Sequence, residues 1–369
     1  MIPDMPRTTI SIKMCARLSV TLLAFCGAAF GQASSSPQRV WSVGPLSKSE
    51  QVVGVAFGPG GPTITPSQVD TQTSSIFSAT RSVIFAGERV VVSVRVGSPP
   101  AKQLYRLFSL DLKTGEVMDS RDFVDLGVRA IFGTSDAHVI ISGDKVLRLT
   151  PDLKDSGSFD YRTTEHKFGR VQNESPDGST LGIATNPGFE LLDSKSLAIS
   201  SLTTAASVDT SINTKGFITD NVHWIRDYPK DLSFVTYVDL SGQHLLYHGK
   251  CGSRPQFLTD ELILEPGCKT PLIIDVHGSV VRTVPLKGEF SYAGVSQNGK
   301  RFALQVADFT GNHTIKHEKF VIYSTETGEP ITEVKPDEQA EEQSWTAFAP
   351  DGKLFVVGSP IKLTLYRLP

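Results

Sequence analysis

No run of 18 uninterrupted apolar residues occurs in the 369-residue chain, so no segment is expected to cross a membrane as a helix. Neither sign of charge dominates: 36 Lys and Arg stand against 39 Asp and Glu, a net charge of −3. A basic face for nucleic acid or an anionic membrane is therefore not expected. Cysteine is scarce, four in all, which limits covalent stapling. Amphipathic helices are missing too, because no long window carries an apolar stripe at helical spacing. The most polar stretch, residues 335–343 ("KPDEQAEEQ"), has no apolar face and reads as a solvated acidic loop. With 39% hydrophobic and 20% charged residues, the chain still has the composition of a folded protein with a large core.

Signatures of familiar chemistries are absent as well. "GPGG" at 58–61 lacks the following Lys-Ser/Thr and the helix start of a phosphate cradle. No HExxH occurs, and "GVSQNG" at 294–299 misses the final glycine of a nucleophile elbow. The histidine pairs His244/His248 and His313/His317 have i,i+4 spacing. On a strand that places both rings on one face but about 13 Å apart, too far to share a metal ion. Asp125, Asp136, Asp220, Asp227, Asp260 and Asp308 are residue types that hold Ca²⁺ or transfer protons, and they are also ordinary turn residues. No catalytic residue, cofactor site or metal site is expected.

The N-terminus reads as a cleaved secretory leader. Arg17 precedes the apolar stretch 18–30 ("LSVTLLAFCGAAF"), and "GQA" then leads into polar "SSSP". A basic start, a short apolar middle and small residues at the end place cleavage between Ala33 and Ser34. Met14 as an alternative start would leave a shorter basic region. Cys26 sits after "LAF", and Phe25 fills the position where lipidation wants a small side chain. Removal of residues 1–33 leaves a soluble, secreted or periplasmic chain with a net charge near −5.

Short β-rich runs fill that chain, among them "RSVIFAGERVVVSVRV", "AHVIISGDKVLRL" and "KLFVVGSPIKLTLYRL". Period-2 patterns bounded by Gly, Asp, Asn and Pro predict strands. "SPDGSTLGIA" from Ser175 and "APDGKLFVVG" from Ala349 each set a Pro-Asp-Gly reversal before an apolar run, and "SQNGKRFALQV" from Ser296 repeats the plan. Gly178 lies 174 residues from Gly352 and 121 from Gly299. Those spacings fit four and three units of about 40–44 residues, the period of a four-stranded propeller blade. The 53 residues from Gly299 to Gly352 require one enlarged blade, with the acidic stretch as the natural place for the excess.

Blade-sized units run over 80–124, 125–166, 167–203, 204–250, 251–287 and 288–335, and only three strands remain from Gln343. "RVWSVGPL" at 39–46 supplies the fourth as the outermost strand. The expectation is an all-β, seven-bladed β-propeller closed by pairing of the N- and C-terminal strands, one domain over 34–369. Residues 47–79, rich in Gly, Pro, Ser and Thr, are a long loop or insertion.

The Pro-Asp-Gly hairpins, with "LFSLDLKTGEV" at 107–117 and "FVIYSTETGEP" at 320–330 as outer-strand hairpins, resemble the bacterial WD-repeat-like or YVTN-type β-propellers. The resemblance covers roughly residues 38–369 and implies the fold. Its motifs carry no catalytic residue, and the Trp-Asp and Gly-His pairs of eukaryotic WD repeats are absent. A closed ring without a catalytic set is read as a monomeric, non-catalytic module binding a protein or glycan. "HWIRDYP" offers His223, Trp224, Arg226 and Tyr228 as its interaction surface, Trp, Tyr and Arg being favoured anchors. The alternative is a propeller enzyme of lactonase or quinone-dependent dehydrogenase type. That reading requires three or more acidic or His side chains to converge in the channel.

Cys251 and Cys268 are the cysteines left after cleavage, and an even count in an exported chain predicts a disulfide. A two-residue turn centred between Thr259 and Asp260 would set them opposite each other across an antiparallel pair, within bridging distance.

Overall fold

Branched and aromatic residues, set a few at a time between Gly, Asp, Asn and Pro, favour extended chain reversed by tight turns. The computed structural model describes residues 36–43, 83–96, 104–124, 130–160, 169–185, 189–203, 210–222, 233–249, 255–265, 270–286, 290–309, 315–336, 344–359 and 362–369. They fall in one compact unit of the chain, Ser35–Pro369, and every regular element among them is a strand.

The first strand, β1 (Gln38–Val43), stands apart from its sequence neighbours. Blade 1 is β2 (Val83–Ala86), β3 (Arg89–Val96), β4 (Leu104–Asp111) and β5 (Val117–Val124). Blade 2 is β6 (Ala130–Gly133), β7 (Val139–Ser142), β8 (Val146–Leu149) and β9 (Asp155–Phe159). Blade 3 is β10 (Gly169–Glu174), β11 (Thr180–Thr185), β12 (Phe189–Asp193) and β13 (Ile199–Thr203). Blade 4 is β14 (Thr210–Ile212), β15 (Gly216–Val222), β16 (Ser233–Asp239) and β17 (Gly242–Gly249). Blade 5 is β18 (Gln256–Phe257), β19 (Leu262–Glu265), β20 (Leu272–Asp275) and β21 (Val280–Thr283). Blade 6 is β22 (Phe290–Val295), β23 (Arg301–Phe309), β24 (Ile315–Ser324) and β25 (Pro330–Val334). Blade 7 takes β26 (Trp345–Phe348), β27 (Leu354–Ser359) and β28 (Lys362–Arg367), with β1 added outside β28.

The chain is thus a seven-bladed propeller closed by its own ends. β1 runs antiparallel to β28, from Gln38 opposite Arg367 to Val43 opposite Leu363. Seven hydrophobic clusters hold the ring, each drawn from two neighbouring blades. Trp41, Trp345 and Leu365 of blade 7 meet Val83, Phe85 and Phe108 of blade 1 in one of them. Because blades stack on both faces, β2, β6 and β8 are buried at every position. Exposed side chains gather instead in fourth strands such as β9 and β21. The dominant period-2 alternation read from the sequence is therefore confined, since a strand packed on both faces has no polar side to alternate.

The repeated turns all join a first strand to a second. In blade 3 the Ser175 hydroxyl donates to Asp177 Oδ1 (2.6 Å) and accepts from the Thr180 N–H (3.0 Å). In blade 6 Ser296 does the same with Asn298 (2.7 Å) and the Arg301 N–H (3.1 Å). Thr134 repeats it in blade 2 with Asp136 and the His138 N–H. Gly178, Gly299 and Gly352 have φ of 72°, 65° and 73°, the left-handed conformation the reversal requires. The Thr-Gly turns at Gly115 and Gly328 link third to fourth strands, as expected.

Two expectations need correction. The excess length of the sixth unit is shared with its own central hairpin, whose strands β23 and β24 have 9 and 10 residues. In blade 5, Gln256 faces Leu264 and Phe257 faces Ile263, so the turn is centred on Asp260 and the register is one residue off the expected one. Thr259-Asp260 has no glycine to supply the positive φ values of a two-residue turn. Thr259 Oγ1 instead accepts from the N–H groups of Glu261 (3.2 Å) and Leu262 (3.0 Å), widening the loop. The geometric case for directly opposed cysteines loses that register, and Cys251 and Cys268 themselves lie outside the described residues.

Candidate functional site

The first strands of all seven blades wall a central channel. Its polar lining comes from Asn173 and Glu174 at the end of β10, Ser211 of β14, Gln256 of β18, Thr346 of β26, and Gln297. Phe85, Phe132, Phe257, Tyr292 and Phe348 border it too, the four phenylalanines buried in the clusters between blades.

Some of these polar groups tie the ring together. Ser211 Oγ accepts from the Phe257 N–H across the blade 4–5 boundary (3.0 Å). Thr346 Oγ1 donates to the Ala293 carbonyl across the blade 6–7 boundary. The hairpins also link neighbours: the Ser135 N–H donates to the Gly178 carbonyl (3.2 Å), and the Asn298 N–H to the Pro350 carbonyl (3.1 Å).

Gln297 differs from all of these. It occupies the second turn position, filled by Pro176 in blade 3 and Pro350 in blade 7. From blade 6 its Nε2 donates to the carbonyl of Gly133 in blade 2 (3.2 Å), two non-adjacent blades on opposite sides of the axis. The same nitrogen lies 2.8 Å from where a Cβ on Gly178 of blade 3 would sit. The hairpin end of the channel is spanned by this side chain.

The strands that aim polar groups inward are irregular there. The β10–β11 register shifts between Val171 and Asn173, and the β22–β23 register between Tyr292 and Gly294. A bulge re-aims side chains locally. The Asn173 side chain has no hydrogen-bond partner among the described residues. Gly294, with φ of 138°, has nothing closer to an added Cβ than Phe348 Cδ2 at 4.0 Å, so its missing side chain leaves channel space open.

The carboxylates weighed from the sequence serve the scaffold where they are described. Asp136 pairs with Arg148 and accepts from Thr134 (2.6 Å). Burial works to raise its pKa, but Thr134, Arg148 and His138 outweigh it and hold it below the usual value. Asp260 accepts from the Thr214 N–H (3.0 Å), joining blades 4 and 5. Asp308 meets exposed His317 at 2.8 Å. His244 sits beside Ser241 (2.9 Å) and Asp239, also in the open. Among the described residues no three His, Cys, Asp or Glu side chains gather as a metal-holding group, and no helix is long and apolar enough to cross a membrane.

His223, Trp224, Arg226 and Tyr228, together with Ala33, Ser34, residues 47–79, Asp125, Asp227 and His313, lie outside the described residues. The same holds for the side chains of His248 and Asp220. Asn173, Glu174, Gln256 and Gln297 were not singled out from the sequence. A signal for two sites was present: Asn173 and Glu174 immediately precede Ser175-Pro-Asp-Gly, and Gln297 breaks the proline of that motif. No protein-family model matches the chain, and no curated protein does.

Proposed function

We propose that this chain is an exported, non-catalytic β-propeller of the bacterial WD-repeat-like or YVTN type, binding a protein or glycan outside the cytoplasm. The observation carrying this reading is the chemistry of the channel wall: carboxamides and hydroxyls, with Glu174 as the one carboxylate among its described residues. Fixed neutral groups orient a ligand by hydrogen bonds and contact, whereas acid–base chemistry needs paired titratable groups. Export rests on the leader-like residues 1–33, and soluble monomeric behaviour on the mixed charge of the remainder.

The function is tested by offering the purified chain defined glycans and lactones, with and without Ca²⁺ or a quinone. Saturable binding without product is expected; turnover above background overturns the non-catalytic reading. N-terminal sequencing of exported protein should begin at Ser34, and a lipid-modified Cys26 at that terminus would overturn the leader. Mass spectrometry of unreduced peptides should recover Cys251 joined to Cys268; free thiols at both sink the disulfide.

A further inference from the structure

We propose that the channel takes a small neutral polyhydroxylated ligand, a single sugar ring or an alditol. The inference rests on the reading of the protein as a binding module and adds the site and the ligand class.

The turn position occupied by Gln297 points at the channel, since Pro176 at the equivalent place also lines it. Proline there presents a short apolar ring with no donor. Glutamine presents a carboxamide long enough to reach the far wall, where it donates to the Gly133 carbonyl. A ligand leaving through the hairpin end must break that bond.

The wall above this floor selects by charge. No Lys, Arg or His belongs to its described lining. An anion would find no counter-charge among that lining. Carboxamides can donate and accept at once, which matches hydroxyl groups that do the same. Asn173 is half-buried and has no hydrogen-bond partner among the described residues, and Gln297 commits only its Nε2. The bulges in β10 and β22 and the bare Gly294 open the space between these groups. Enclosed apolar surface with a few convergent polar groups is the pattern of a small-molecule pocket.

Calorimetry on the full chain with D-glucose, D-mannitol and D-glucuronate tests the proposal. At least one neutral probe should bind in the millimolar range or tighter, with glucuronate about tenfold weaker or more. Asn173→Ala and Gln297→Ala should each weaken the neutral probe by about tenfold. Met118→Ala, on exposed β5 surface, should leave binding unchanged. Melting curves check that each variant folds, and Gln297→Met, equal in reach but without a donor, replaces an alanine variant that does not. No binding by either neutral probe overturns the proposal, as does equal binding of glucuronate or binding indifferent to both channel substitutions. Conversion of the bound sugar would instead defeat the non-catalytic reading while leaving the site. A macromolecular glycan or protein bound equally by both channel variants keeps the module reading and removes the channel site.

Discussion

Gly358 in β27 lies under the indole of Trp345. A Cβ added there would stand 2.0 Å from Trp345 Nε1 and 2.5 Å from Cε2, a clash that no rotamer of a methyl group relieves. The ring is buried in the blade 7–1 cluster and has nowhere to retreat. Gly358→Ala should therefore destabilise by about 1–3 kcal/mol, as overpacking does. A denaturation midpoint equal to that of the parent would show that the indole moves freely. Glu318 of β24 poses a different residue-scale problem. It is buried, receives hydrogen bonds from Gln305 Nε2 and Ser344 Oγ (2.6 Å), and forms no ion pair among the described residues. Burial pushes its pKa above the ordinary 4.5, although Ser344 and Gln305 oppose the shift. The folded state thus favours the protonated acid. The stability it contributes is present below the ordinary value and is lost as pH rises through the raised one. Glu318→Gln, neutral throughout, should gain on the parent as pH rises from below the ordinary 4.5 toward neutrality. Melting curves that stay parallel across that range would refute the assignment.

Among the elements, β1 has the largest consequence for its size. Trp41 donates from Nε1 to the Leu112 carbonyl of blade 1 (2.9 Å) and packs against the Gly115 turn, where an added Cβ would meet its ring at 2.8 Å. Trp41→Ala should cost about 3–5 kcal/mol, measured by chemical denaturation. Deleting residues 34–46 should go further and leave β28 as an unpaired edge, detected as concentration-dependent association in light scattering. A monomer with the parent's melting temperature would contradict that. Blade limits and the terminal closure were legible because blades 3 and 6 repeat one turn whose chemistry is local, a hydroxyl, an Asx side chain and a left-handed glycine within four residues, and blade 7 keeps its Asx residue and glycine. The blade 5 turn was misplaced by one residue because Thr259-Asp260-Glu261 has no such marker, and its shape depends on Thr259 capping two backbone N–H groups. The channel wall was illegible for another reason. Gln297 and Gly133 are 164 residues apart, and no pattern in either segment announces the other.

For the molecule as a whole, stability is distributed over seven interfaces rather than one centre, and no blade is privileged except by where the chain starts. Gln38 and Arg367 are paired neighbours, so a short linker can join Pro369 to Ser36. Opening such a chain between Leu240, 80% exposed, and Ser241 moves the closure from blade 7 to blade 4. The permuted protein should fold with a melting temperature within a few degrees of the parent, since new termini at exposed turns are tolerated. A permutant that fails to fold would show that closure in blade 7 is required.

The antiparallel closure also fixes how the ring answers a pulling force. The two ends of the chain emerge side by side at the same end of the β1–β28 ladder, next to the Gln38–Arg367 pair. Tension applied between them loads that pair first, then Arg39 with Tyr366, and so on toward Val43 and Leu363. The rungs peel one after another and never share the load, as they would if the strands were dragged lengthwise past each other. A closure well packed against heat is in this direction a zip fastener gripped by its open end.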